Sequence, residues 1–320
     1  MEAYKVVIRE RKGRVLTPAQ FGCLEGIPAI NITNGCLFRC TYCYARGYSQ
    51  TPKKREVQLY GNLPNLLNEE IPKKRALPSW VILNTSSDCF QPHPEILKVA
   101  YQTMQILLNH TIGISFLTKG VIPQHFFDLF SRFPGKILPQ IGLVSLSQEY
   151  WKRYEAGAPQ PEERLRNIER FKRIGIDPEV RVDPIIPFVT DREEEVVRLF
   201  EKLREVGIRR VTLSYLHLRP FIQKQFIEEL PVFYQKLMEA CFRLQEWKQV
   251  GSSTKTKLLS RSIREKGYER IKGIAERFGI KASICQCKNP DLQGDLCSSS
   301  RVRFLSKSRM MTPMPLFRCG

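Results

Sequence analysis

Short apolar runs alternate along this chain with stretches in which apolar residues return every three or four positions. Residues 28–33 (PAINIT) predict a short strand, and residues 77–83 lead into a second at VILNTSS. Over 93–109, Ile96, Val99, Ala100, Met104 and Leu107 recur at helical spacing, with Pro92 and Pro94 marking the start. A buried strand follows at 113–120 (GISFLTKG), then a helix over 123–133 and another strand at 141–148 (IGLVSLSQ). A helix over 161–174 is stopped by Gly175, and EVRVDPIIP (179–187) reads as a strand. Asp191 is placed to cap a helix over 193–206, which Gly207 ends. The sixth strand is 209–218, followed by one long helix over about 220–246.

Strands alternating with helices predict a parallel sheet with right-handed crossovers. Six units are too few for a closed eight-stranded barrel, which leaves a partial (β/α)6 TIM-like barrel or a doubly wound sheet. Polar residues gather at the predicted strand ends: Thr33, Ser86 to Asp88, Thr118 and Lys119, Ser145 to Ser147, Asp183 and His217. Singly each reads as a cap or turn residue. Together they stand where parallel α/β folds keep their chemistry. The organisation expected is an N-terminal extension (1–27), a barrel (28–247) and a C-terminal extension (248–320) that carries cysteines and a basic tail.

Composition narrows the class. The chain has 320 residues and 42% apolar content, enough for one large domain with an annex. No stretch approaches a membrane span, and 1–16 is too charged for a secretory signal. A cytoplasmic location is therefore expected. Ten cysteines in a reducing compartment are metal ligands, catalytic thiols or small apolar residues, not a disulfide framework. With 51 Lys and Arg against 32 Asp and Glu, the net charge of +19 favours a polyanionic partner, nucleic acid first.

The densest chemistry is NGCLFRCTYCYARGY (34–48), where Cys36, Cys40 and Cys43 follow C-x3-C-x2-C directly after the first predicted strand. Zinc in structural sites asks for four closed ligands. Three thiolates suit an iron–sulfur cluster with one iron left open. This segment closely resembles the radical S-adenosylmethionine (SAM) superfamily. CTYCYAR, NTSSDCFQP (84–92), FLTKG (116–120) and 144–176 resemble its spore photoproduct lyase-related group, over roughly residues 28–220.

The resemblance implies a partial (β/α)6 barrel and a [4Fe–4S] cluster on Cys36, Cys40 and Cys43. It implies that the open iron chelates SAM, that SAM is cleaved reductively, and that a 5′-deoxyadenosyl radical takes hydrogen from the substrate. It implies Tyr42 and Tyr44 as hydrogen-relay residues and Ser86, Asp88, Lys119 and Ser147 near SAM. Lys119 or Arg181 would face the SAM carboxylate, and Asp183 the ribose hydroxyls. Members of the group carry a hydrogen-donor cysteine near the end of the second strand. Cys89 is the candidate here, a few residues late, with Thr85 nearer that register. A flavodoxin or ferredoxin reductase is the implied electron source.

A second group, Cys285, Cys287 and Cys297, has Cys319 or Cys241 as a candidate fourth member. No His follows His217, which leaves a second iron–sulfur cluster, a Cys-only zinc site or unliganded thiols. Basic clusters at 9–14, 53–55, 73–75 and the C-terminal tail, with Tyr48, Tyr60 and Phe304 nearby, suit nucleic acid. The expected function is a radical SAM enzyme acting on nucleic acid, in repair or modification. The alternatives are a radical enzyme acting on a peptide or small molecule with an auxiliary cluster, and a non-catalytic iron–sulfur module that binds nucleic acid.

Overall fold

The structure is a computed structural model that describes residues 4–19, 22–52, 55–250 and 255–294, together with 302 and 305. Its frame is a seven-stranded sheet of β2 (Ala29–Ile30), β5 (Trp80–Leu83), β6 (Gly113–Thr118), β7 (Ile137–Gly142), β8 (Glu179–Ile185), β9 (Arg210–Tyr215) and β10 (Lys281–Ile284). Every pairing in it is parallel, and spatial order follows chain order from β2 at one edge to β10 at the other. That is the wall of an open, partial TIM-like barrel. The last strand lies beyond 248, so the barrel wall does not stop where the C-terminal extension was expected to begin. Four residues (KASI) are too short for an apolar run to register.

Helices α2 (Pro94–Asn109), α3 (Gln124–Ser131), α4 (Gln148–Tyr154), α5 (Pro161–Arg173) and α6 (Glu193–Glu205) lie between successive strands. Beyond β9 come α7 (Pro220–Glu229), α8 (Val232–Phe242) and α9 (Arg261–Arg277). Val81 and Leu83 of β5 join Phe116, Ile141, Val182 and Leu213 in the main core beneath the helices. Trp80 and Ile82, pointing the other way, meet Ile27, Leu24, Leu138, Val302 and Leu305. Strands buried on both faces read as continuous apolar runs, which is why they were visible in the sequence. A second, three-stranded sheet sets β1 (Lys5–Arg9) parallel to β4 (Glu56–Tyr60), with β3 (Thr33–Asn34) antiparallel on its far side. The helix α1 (Leu63–Glu70) follows β4.

Three local expectations are corrected. The strand expected at 141–148 is β7, several residues earlier; Leu143 and Val144 are buried in the loop that leaves it, so their apolar character reports burial and not pleat. The long helix after 220 is two helices, because Leu230 is extended ahead of Pro231. Asp191 is not the cap of α6, which is Arg192; its carboxylate accepts from the Phe188 N–H at 2.6 Å and the Tyr215 hydroxyl at 2.8 Å. Gly175 and Gly207 do end their helices, with φ of +75° and +78°. Among the described residues no helix is long and apolar enough to cross a membrane.

Helix α9 packs so tightly on β9 that a Cβ at Gly267 would lie 2.0 Å from the Tyr215 hydroxyl oxygen. That hydroxyl is pinned by its bond to buried Asp191. Gly267→Ala should therefore lose about 2 kcal/mol despite alanine's better helix propensity. Thermal unfolding followed by circular dichroism checks it, and an unchanged or raised midpoint contradicts this packing.

Candidate active site at the carboxyl rim

The cysteine loop leaves β3 through Gly35, whose φ of +88° and 3.2 Å approach to the Glu56 carbonyl suit no larger residue. Gln91 ties the loop to the end of β5. Its amide accepts from the Leu37 N–H at 2.7 Å and donates to the Thr33 hydroxyl at 2.9 Å and the Asp88 carbonyl at 2.7 Å. From the other side Gln225 of α7 donates to the carbonyls of Thr41 (2.9 Å) and Cys43 (3.2 Å). The Thr41 N–H donates to the Tyr154 carbonyl at 3.0 Å. Beneath the loop, a Cβ at Gly157 would meet the Phe38 carbonyl oxygen at 2.5 Å, so the two backbones touch.

The turn after α4 carries a buried ionic layer. The Tyr42 hydroxyl donates to Glu155, Tyr150 donates to the same oxygen at 3.2 Å, and Arg164 pairs with the other oxygen. Glu155 and Arg164 are each 1% exposed, and Arg164 also donates to the carbonyls of Gly142 (3.0 Å) and Pro159 (2.8 and 3.0 Å). Burial opposes ionisation of Glu155, but Arg164 and Lys119 outweigh it and hold its pKa below the usual carboxylate value. Lys119 lies over the Tyr42 ring at 5.6 Å. Burial acts against its charge, while Glu155 and Cys40 favour it more strongly, so it stays a cation.

The residues expected near SAM fall into distinct settings. Asp88 is buried, with its carboxylate accepting from the Phe90 N–H (2.8 Å), the Thr118 hydroxyl (2.7 Å) and the Lys119 N–H (2.8 Å). The Ser86 N–H is held by the Asn31 side chain at 3.1 Å. Ser147 caps α4 by accepting from the Tyr150 N–H at 3.2 Å. Asp183 receives Arg181 at 2.8 Å and Lys288 at 2.6 Å. Burial works against its charge, yet Lys288 and Arg181 together drive its pKa far below the usual range. Cys89 has no exposed surface and lies in the main core. The Tyr44 hydroxyl donates to the Thr85 carbonyl at 2.7 Å, and Arg219 stacks on its ring at 4.7 Å.

Cys285 and Cys287 follow β10 and so stand on the same rim, their sulfurs 3.2 Å apart. Cys297 and Cys319 lie outside the described residues, and Cys241 packs on α8 against the main core. Gln91, Gln225, Glu155, Arg164 and Lys288 escaped sequence reasoning, since their partners are far along the chain. His217 was visible only as a strand-end residue. Its Nε2 is buried without a protein hydrogen-bond partner, and desolvation with the nearby Lys288 pushes its pKa down to about 3.

The donor set fits an iron–sulfur cluster. Burial, with Asp88 and the neighbouring thiols Cys43 and Cys40, raises the Cys36 pKa; burial also takes the Cys40 pKa up to about 12 despite Lys119. Thiols so placed ionise when a metal centre supplies the compensating charge. Among the described residues no three Cys, His, Asp or Glu side chains converge on a single-ion site.

Residues 30–200 match the radical SAM superfamily. The chain belongs to that superfamily and is an enzyme. It is 26% identical over 220 residues to an uncharacterised protein of Acidianus two-tailed virus, covering 63% of this chain and 71% of that one. To an uncharacterised protein of Mycobacterium tuberculosis it is 28% identical over 204 residues, spanning 59% of this chain but 58% of that protein. A Pseudomonas phage M6 protein named radical SAM Nα-GlyT isomerase is 24% identical over 186 residues, covering 57% of this chain and 37% of the phage protein. In fold the chain resembles spore photoproduct lyase, with a TM-score of 0.67 at 16% identity over 87% of this chain and 81% of that one.

The buried pair yields a stability prediction. Glu155→Gln leaves Arg164 without its counter-charge and should cost about 3–5 kcal/mol. Tyr42→Phe removes one hydrogen bond to the same carboxylate and should cost about 1.5–3 kcal/mol. Urea unfolding of the two variants checks this order, and equal or negligible losses contradict it.

Proposed function

We propose that this enzyme uses its radical site on nucleic acid, as a repair or modification enzyme. The observation that carries the substrate class is a belt of aromatics at the rim beside cationic side chains. Tyr44 is 36% exposed, Tyr48 39%, Phe221 39% and Phe188, on the loop leaving β8, 53%. What marks an interaction site is contiguity, and here Tyr48 meets Tyr44 while Phe221 packs against Gly47 between them. Arg219 stacks on Tyr44, Tyr48 meets Tyr44 edge-on at 5.7 Å, and Arg46 and Arg39 are adjacent on Glu229. Unpaired bases stack on such platforms while the +19 charge attracts the backbone. A base lifted out of the stack could then enter the barrel mouth. The likeness to spore photoproduct lyase, solved with S-adenosylmethionine and a dinucleoside spore photoproduct, supports the same class.

Cys36, Cys40 and Cys43 would hold the [4Fe–4S] cluster, which supplies, when bound, an open iron for SAM and the electron that cleaves it. Lys119, held cationic by Glu155 and Cys40, would offset thiolate charge and would meet the SAM carboxylate. Arg181 and Asp183, already paired, and neutral His217 would offer hydrogen bonds across the mouth. Tyr44, held by Thr85, and buried Tyr42 are the residues proposed for hydrogen relay, with buried Cys89 as the candidate hydrogen donor. An auxiliary cluster on the second cysteine group, Cys285, Cys287 and Cys297, would instead favour the alternative of a peptide or small-molecule substrate. A flavodoxin or ferredoxin would deliver the electron.

A labelled single-stranded oligonucleotide should bind at low salt and weaken steeply as salt rises. Tyr48→Ala/Phe221→Ala should weaken it at least about fivefold, from the stacking lost. Binding of neither DNA nor RNA at low salt would overturn the substrate class and leave the peptide or small-molecule alternative.

A further inference from the structure

We propose that β1 and the arm that follows it form a track for the sugar–phosphate backbone of nucleic acid, leading away from the barrel mouth. This rests on the nucleic-acid reading above and adds a second surface to it. The track starts at the cysteine loop, where the Arg39 guanidinium donates to the Tyr4 hydroxyl and stands 5.4 Å from the centre of its ring. β3 feeds that loop and is antiparallel to β4, so β4 and its parallel neighbour β1 both run away from it. β1 is the edge of its sheet among the described residues. Val6 and Val57 lie side by side on the core face, which puts Lys5 and Arg9 on the other face, beside Glu56 and Tyr60. Lys5 and Arg9 are exposed, and Tyr60, level with Arg9, is half-buried. A cation and an aromatic ring side by side suit a strand of unpaired nucleotides.

Beyond β1 the arm is fastened along α1. At one end of that helix the Arg11 N–H donates to the Asn62 side-chain oxygen at 2.9 Å, and the Asn62 amide donates back to the Arg11 carbonyl at 3.1 Å. At the other end Glu70 accepts from the Val15 and Leu16 N–H groups and pairs with Lys74 at 3.1 Å. Val15 and Leu16 are buried, while Lys12 and Arg14, between the two fastenings, are exposed. Exposed Lys73 and Arg75 continue the line past the helix. β1 covers about 16 Å and α1 about 12 Å, so these cations reach well beyond a single flipped base. Opposing charge is largely engaged within the fold: Glu70 as described, and Glu56 with the Gln58 amide at 3.1 Å. Glu10 and Glu69 are the acids left exposed along the line among the described residues. A backbone pinned at both ends presents its cations in fixed order, as a row of phosphates requires.

The test separates the track from the mouth by length. Fluorescence anisotropy at low salt should show a labelled oligothymidylate of about twenty nucleotides bound at least about tenfold more tightly than one of about five, which reaches the mouth alone. Lys5→Gln/Arg9→Gln/Lys12→Gln/Arg14→Gln should abolish that gain and make the slope of log affinity against log salt shallower by about 2–3. It should leave binding of the short strand, and 5′-deoxyadenosine formation from SAM, unchanged. Removing the same charge from exposed ion pairs on other helices, in Lys98→Gln/Arg166→Gln/Lys202→Gln/Arg261→Gln, should keep the gain. Equal affinity of wild type for the two lengths, or an equal loss in both quadruple variants, would overturn the track and leave the nucleic-acid reading standing. Binding of neither length would overturn both. Phosphatidylserine vesicles that capture wild type but not the first variant, with the length gain intact in that variant, would assign this surface to an acidic membrane and overturn the track.

Discussion

The buried amide of Gln91 is the contact on which the site depends. It has no exposed surface, and it joins the cysteine loop (Leu37), the strand before it (Thr33) and the loop after β5 (Asp88). A buried amide with its groups satisfied fixes one arrangement, because any displacement strands polar atoms away from water. Asp88 extends the lock to the end of β6 through Thr118 and Lys119. Three strand ends and the cysteine loop thus become one rigid unit, and the thiols are presented on a frame and not on a free loop.

Charge beneath that unit is arranged unequally. Half-buried Lys119 and fully buried Arg164 both face the Glu155 carboxylate. The surplus positive charge lies toward Cys40. An apolar replacement of a buried ion pair is often as stable as the pair itself, so its presence here is better explained by the anionic thiolates above than by stability. On the opposite side of the mouth, Asp183 gathers Arg181 and Lys288 and draws the segment after β10 onto the rim. The two edges of the open sheet therefore both end in cysteine-bearing turns.

What could be read in the sequence was local. C-x3-C-x2-C carries its chemistry within eight residues, and strands buried on both faces announce themselves as apolar runs. The β7 register slipped because Leu143 and Val144 are buried without being strand, and β10 was too short to register. The long-range contacts were invisible: Tyr42 and Glu155 are 113 residues apart, and Gln225 and Thr41 are 184 apart. Asp191 looked like a helix cap and serves Tyr215 instead. Asp88 was expected near SAM, and its oxygens are engaged by the barrel's own N–H and hydroxyl groups.

The most direct test of the central claim is to incubate the anaerobically reconstituted, chemically reduced protein with SAM and measure 5′-deoxyadenosine. A site built by Cys36, Cys40 and Cys43 predicts that wild type forms it and that Cys40→Ala, which removes the thiol acted on by the Lys119 charge, does not. Wild-type protein with a full complement of iron and sulfide that formed none would contradict the account.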